Sequence, residues 1–126
     1  MAITHTTTVR NALADLIDDQ VNSGTTDANG DLVIMTSGDV EVATLALSNP
    51  AFGAASSGTI TLAGVPKSDT NATGGTAALF KFQNRDNTEV FRGSVGTSGA
   101  DLNLSSTSIG AGDTVQVTSF TYSAPA

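Results

Sequence analysis

The chain has no cysteine, no tryptophan, one tyrosine, one histidine and only five lysines and arginines. Without cysteine there is no disulfide framework, no thiolate metal site and no sulfur nucleophile, and the redox compartment is left open. The lone His5 cannot build a zinc centre without several carboxylates beside it. A serine triad would have to use that same histidine, and no serine sits in a G-x-S-x-G elbow. Paired carboxylates exist for glycoside hydrolysis, but the aromatic residues that usually surround a sugar are scarce. An enzyme is not expected, and neither is a cofactor. The cations Arg10, Lys67, Lys81, Arg85 and Arg92 are scattered, and the net charge is −7. Nucleic-acid affinity comes mainly from clustered cations that displace counterions, so no nucleic-acid partner is expected. Acidic membrane surfaces would repel the chain for the same reason. No apolar stretch approaches the roughly 20 residues of a membrane helix. Met1-Ala2-Ile3-Thr4-His5 lacks the charged-then-apolar layout of a signal peptide, so synthesis and maturation in a cytoplasm are expected.

Charged residues make up 13% of the 126 residues, about half the usual globular share. Threonine, serine, alanine and glycine fill the difference, which favours short strands and tight turns. The length suits one domain. Val9, Ala12, Leu13, Leu16, Ile17 and Val21 recur at three- and four-residue steps and predict one amphipathic helix over about 9–22. An arm over residues 1–8 precedes it. Thr7 or Thr8 is the expected N-cap, and Gly24 lies where a left-handed residue ends a helix. Arg10 in the first turn and Asp18 and Asp19 near the last oppose the helix dipole. A helix of about 15 residues is marginal alone, so packing must hold it.

From Asp31 the period becomes two. Leu32-Val33-Ile34-Met35 is an uninterrupted apolar run, which predicts a strand covered on both faces, with the helix as the expected second cover. Ser37-Gly38-Asp39 then turns the chain into Ala43, Leu45 and Leu47. Ile60 and Leu62 alternate with threonines. Phe80 and Phe82 point one way, with Lys81 and Gln83 opposite. The polar turn 84–87 leads to Phe91 and Val95 as a second hairpin. Leu102 and Leu104 form a short strand, with Ser108 and Ile109 a candidate for another. Residues 64–75 read as an exposed polar loop. In the last strand, Val115 and Val117 share one face, but Phe120 and Tyr122 share the other. That parity switch predicts a bulge or a crossing between sheets, or a strand covered by the core on one face and by a partner on the other. The fold expected is mainly β: a sandwich or jelly-roll-like domain of about eight short strands behind one N-terminal helix.

Asp27, Asn29 and Asp31 place oxygen ligands at alternate positions, like the start of a calcium loop. The glycine is one position off, no glutamate closes the loop, and Asn29-Gly30 is a strong turn signal. A plain turn is the preferred reading, and no metal is expected.

Three stretches carry a resemblance: Thr-Val-Arg-Asn-Ala-Leu-Ala-Asp (residues 8–15), Asn-Pro-Ala-Phe-Gly-Ala-Ala (49–55), and Ser-Ser-Thr-Ser-Ile-Gly-Ala-Gly-Asp-Thr-Val-Gln-Val-Thr-Ser-Phe-Thr-Tyr (105–122). With them the chain resembles, over almost its whole length, a group of small structural proteins of tailed bacteriophages. The resemblance implies a virion protein, foremost a capsid decoration (cement) protein on the outer surface of the shell. It would bind the major capsid protein and itself, with a trimer favoured. A tail, neck or fibre-adaptor component is the alternative within the virion. A carbohydrate-binding jelly roll, with Phe52 and Tyr122 as its aromatic platform, is the alternative outside it. Partner contacts are expected at Ala2, Ile3, Thr4, His5, Thr6 and Thr7, at an exposed β-edge, and at Phe120 and Tyr122 on the outer face of the last strand.

Overall fold

The computed structural model describes residues 3–125. Helix α1 spans Thr7–Val21, and its N-cap is Thr6, whose Oγ1 accepts the amide of Val9 at 3.3 Å. The cap is thus one residue before the earlier of the two threonines expected. Thr7 and Thr8 belong to the helix, and the arm is shorter than 1–8. At the other end Asn22 is the C-cap, with its amide 2.9 Å from the carbonyl of Asp18. Gly24, at φ +118°, turns the chain two residues later.

Among the described residues eleven short strands follow: β1 Asp31–Met35, β2 Glu41–Ala46, β3 Thr59–Thr61, β4 Lys67–Asp69, β5 Gly75–Thr76, β6 Leu79–Gln83, β7 Glu89–Gly96, β8 Leu102–Asn103, β9 Ser108–Ile109, β10 Val115–Val117 and β11 Thr121–Ser123. Three of them, β5, β8 and β9, are two-residue pieces, which leaves eight of three residues or more. The protein is mainly β with one helix. A curled five-stranded sheet in the order β2-β1-β6-β7-β8 carries most of the pairing. Its β1–β2, β1–β6 and β6–β7 ladders are antiparallel and its β7–β8 ladder is parallel. The ladders β3–β11, β4–β10 and β5–β9 complete the structure.

Register explains which side of the sheet is core. Leu45, Leu32, Phe82 and Phe91 form one cross-strand row, and Ala43, Ile34, Phe80 and Gly93 the next. These face inward, because side chains alternate across a strand. All five phenylalanines, Phe52, Phe80, Phe82, Phe91 and Phe120, meet there, with contacting ring centroids 4.7–6.3 Å apart. Gly93 belongs in this row because a Cβ would stand 2.7 Å from the Phe80 ring. Val33 and Met35 point the other way and are also buried, so β1 is covered on both faces. The cover is not the expected one, since α1 packs chiefly on β3 and β7. Val33 sits instead in a row with Thr44, Lys81 and Arg92, where long aliphatic stems shield apolar surface while their charges stay in water.

The parity switch in the last strand is a crossing: β10 pairs with β4, and β11 pairs with β3. Residues 64–75 are not a plain loop. They hold β4, bury Ala72, and close the outer edge of β2. Asp69 Oδ2 accepts the amide of Thr44 at 3.0 Å, while the amides of Thr73 and Gly74 donate to Val42 O at 2.9 and 3.1 Å. A sheet edge satisfied in this way is not available for pairing with another chain. No helix of the described residues is long and apolar enough to cross a membrane.

Candidate interaction surface

Asn11, Asp15, Asp18 and Asn22 recur at steps of four, three and four, so they lie on one face of α1. That face is turned toward the protein. Asn11 Oδ1 accepts the amide of Gly58 at 2.8 Å, and Asp15 Oδ1 that of Ala55 at 3.0 Å. Asp18 Oδ1 accepts the amide of Phe52 at 3.1 Å, and Asn22 Oδ1 that of Ala51 at 2.9 Å. Segment 51–58 has only two isolated β-bridges, Phe52–Leu62 and Ser56–Thr59, so the helix side chains take the place of a neighbouring strand. Arg10 fastens the other end of the chain: its Nε donates to Pro125 O at 3.2 Å and its Nη2 to Ala124 O at 3.4 Å. Gly58, at φ +75°, leaves room for that guanidinium, which a Cβ would meet at 2.7 Å.

A helix docked by its polar stripe turns apolar residues outward. Only Ala14 and Val21 are fully buried, while Leu13 and Ile17 are partly so. Val9 is 43% exposed and Leu16 50%, with the exposed Ala12 between them. The arm in front extends this character: Ile3 is 83% exposed, and Thr4, His5, Thr6 and Thr7 are exposed with it. Ala2 lies outside the described residues.

Asp18 bears the chemical consequence of this docking. Burial pushes its carboxyl above the usual 3.8, with the Phe52 amide opposing the rise. The folded state therefore holds this proton more tightly than the unfolded one. The ionised group lowers stability at neutral pH, and that penalty vanishes as pH falls through its raised pKa toward 3.8. Asp18→Asn keeps an acceptor for the Phe52 amide and removes the charge. It is expected to stabilise the fold at pH 7 by under ~1 kcal/mol, allowing for solvent screening of a half-buried group. Urea titrations of both proteins at pH 7 and near pH 4 should show the difference shrinking in acid. Asp86 and Glu89, whose carboxyls are held low by the Thr25 amide and by Arg92 respectively, lose stability in acid equally in both proteins.

The remaining candidate residues are placed as follows. Phe120 is not on an outer face: it is 6% exposed and packs within the phenylalanine cluster. Phe52 is 1% exposed and likewise core, which removes half of the aromatic platform a carbohydrate site would need. Tyr122 is half-buried, its ring 5.4 Å from Phe91. It lines a mouth of about 280 Å³ with Phe80, Phe91, Phe120 and Asp101. Beside this mouth runs the free side of β11. Leu62 donates to Phe120 O and Ala124 to Gly58 O, so strand alternation points the main-chain groups of Thr121 and Ser123 away from β3. No strand of the described residues pairs there. This is an unpaired edge, and that of β2 is closed.

Asp27, Asn29 and Asp31 do not form a turn of the expected kind. Gly30 is buried and lacks the positive φ of an Asn-Gly hairpin. A Cβ on it would stand 2.5 Å from Gln83 O and 2.9 Å from Val21 O, so the glycine serves a close backbone approach. Arg85 holds this segment, with Asp27 donating to Arg85 O at 2.8 Å and Arg85 Nε donating to Asp27 O at 2.7 Å. Burial, then the charge of Asp27, pushes the Asp31 carboxyl up. No group of three or more His, Cys, Asp or Glu gathers among the described residues.

The inward stripe carries no apolar period to mark it as the buried face. Its signal was present in the sequence as an equally regular Asn/Asp period. Comparison with protein-family models, with curated proteins and with solved structures found no match to this chain.

Proposed function

We propose that this protein is a non-catalytic structural component of a tailed-phage particle. In this reading it is a decoration protein, bound to the major capsid protein on the outer surface of the shell. Its strands would form a sandwich of the jelly-roll type, whose rigid body carries the contact segments. The observation that carries the binding role is the arm: Ile3, 83% exposed, stands with β-favouring Thr4 and Thr6 directly before a helix fixed at both ends. An extended segment of this kind adds to a sheet edge by main-chain hydrogen bonds and drops alternate side chains into pockets. The free edge of β11 beside Tyr122 offers the reverse contact, as acceptor of a strand from the shell. Many modest contacts across an assembled lattice bind far more firmly than one. The virion setting rests on the resemblance of residues 8–15, 49–55 and 105–122. A tail or neck position is the second reading, because the same arm and edge would serve there.

Deleting residues 2–5 tests the arm, because it spares the Thr6 cap. The shortened protein is expected to keep its thermal midpoint within a few degrees and to lose co-sedimentation with undecorated heads. Deletion through Thr8 would also remove the cap, at a further cost of about 1 kcal/mol, and so would confuse folding with binding. Full co-sedimentation of the protein lacking residues 2–5 would exclude the arm as the contact.

A further inference from the structure

The outward stripe of α1 is self-complementary, and we propose that it pairs with the same stripe of a second copy as an antiparallel, two-fold helix contact. This inference is independent of where the protein resides. Val9, Ala12 and Leu16 are exposed and Leu13, half-buried against the core, forms the margin of the stripe. The four are spaced three, one and three, which is symmetric about the midpoint between Ala12 and Leu13. Reversing a second helix about that point sets Val9 against the partner's Leu16 and Ala12 against the partner's Leu13. At the centre the small Ala12 then meets the larger Leu13, and at each end two branched aliphatic side chains meet. A two-fold axis requires this kind of matching, with residue i meeting j while j meets i.

Charge selects the same arrangement. Helix α1 has no acidic residue in its first turn and no basic residue in its last, the reverse of what its dipole favours. Asp19 is exposed in the last turn. The same reversal carries Asp19 to the partner's Thr6, at the positive end of the partner's helix, and the contact repeats on the other side of the axis. A charge that destabilises the isolated helix is thereby placed where it is favourable. A parallel pair, or a three-fold cluster of parallel helices, would bring the Asp19 carboxylates together instead. The helix needs no rearrangement to pair, because Asn11, Asp15, Asp18 and Asn22 already hold its opposite face. One 15-residue helix on another covers less than the roughly 1,200 Å² of a stable standard interface, so the pair should form reversibly with concentration.

The chain has no cysteine, so single thiols report the register. Val9→Cys and Leu16→Cys change exposed side chains and should leave circular dichroism and the thermal midpoint intact. Mixed together and treated with a short bifunctional thiol reagent, they are expected to give a crosslinked heterodimer well above the yield of a Ser98→Cys control. Val9→Cys alone should not exceed that control, since its two copies stand about 10 Å apart along the axis. Sedimentation equilibrium of the unmodified protein should show monomer and dimer exchanging with concentration, with Leu16→Glu weakening association at least tenfold. A protein that stays monomeric up to millimolar concentration would overturn the pairing. Preferential Val9→Cys self-crosslinking would overturn its antiparallel register, and undiminished association of Leu16→Glu would place self-contact on another surface.

Discussion

Phe82→Ala is expected to cost about 3–5 kcal/mol, a large part of the roughly 5–15 kcal/mol that holds a domain of this kind. Phe82 is 0% exposed. Its ring lies 5.5 Å from Phe52, 5.7 Å from Phe80, 4.7 Å from Phe91 and 5.1 Å from Phe120. Only Phe82 and Phe120 touch all the other phenylalanines, and Phe82 is the more deeply buried of the two. Those rings come from the sheet, from the 51–58 segment under α1, and from the crossing between β10 and β11. Truncation therefore opens a cavity at the point where three parts of the fold meet, and none of them can move in without parting from another. Urea denaturation should show a lower midpoint with a similar slope. A loss below about 1.5 kcal/mol would mean that the site collapses freely, and that the phenylalanines are not the common anchor.

Gly30→Ala is the second large effect, with an expected cost of about 3 kcal/mol or more. The added Cβ would meet two backbone oxygens, Gln83 O at 2.5 Å and Val21 O at 2.9 Å, and neither can rotate away. Relief requires β1 to part from β6 or the end of α1 to lift. Gly99→Ala provides the contrast, since nothing lies within 4 Å of its added Cβ and only its φ of +70° opposes the change. That backbone penalty is about 1 kcal/mol. Equal destabilisation by the two substitutions, measured in the same urea titration, would contradict the close approach at Gly30.

Much of the fold was legible in the sequence because alternation is strict wherever one face is core. The hairpin turns at 37–39 and 84–87, the inward Phe80 and Phe82, and the crossing in the last strand all follow from period two and turn chemistry. What was not legible is where polar side chains replace backbone partners. Asp69 closing the edge of β2 and the Asn/Asp stripe of α1 are single side chains reaching distant amides, and no local period reveals the other end of such a bond. Phe120 lies in the core and not on the expected outer face for a related reason. A change of parity within one strand implies a change of face, whereas here the chain moves to a second ladder and keeps Val117 and Phe120 in one core. The surface was legible in composition only. The arm was visible as a polar segment without turn residues, but the outward stripe of the helix needed the structure.

The proposed role is tested most directly by imaging. On that proposal, undecorated tailed-phage heads mixed with the purified protein and viewed by cryo-electron microscopy should gain regular density over the capsomers, with the segment before α1 running into the shell. Bare capsomers, with the protein confined to a vertex or to the tail, would contradict decoration and assign it to the neck or tail.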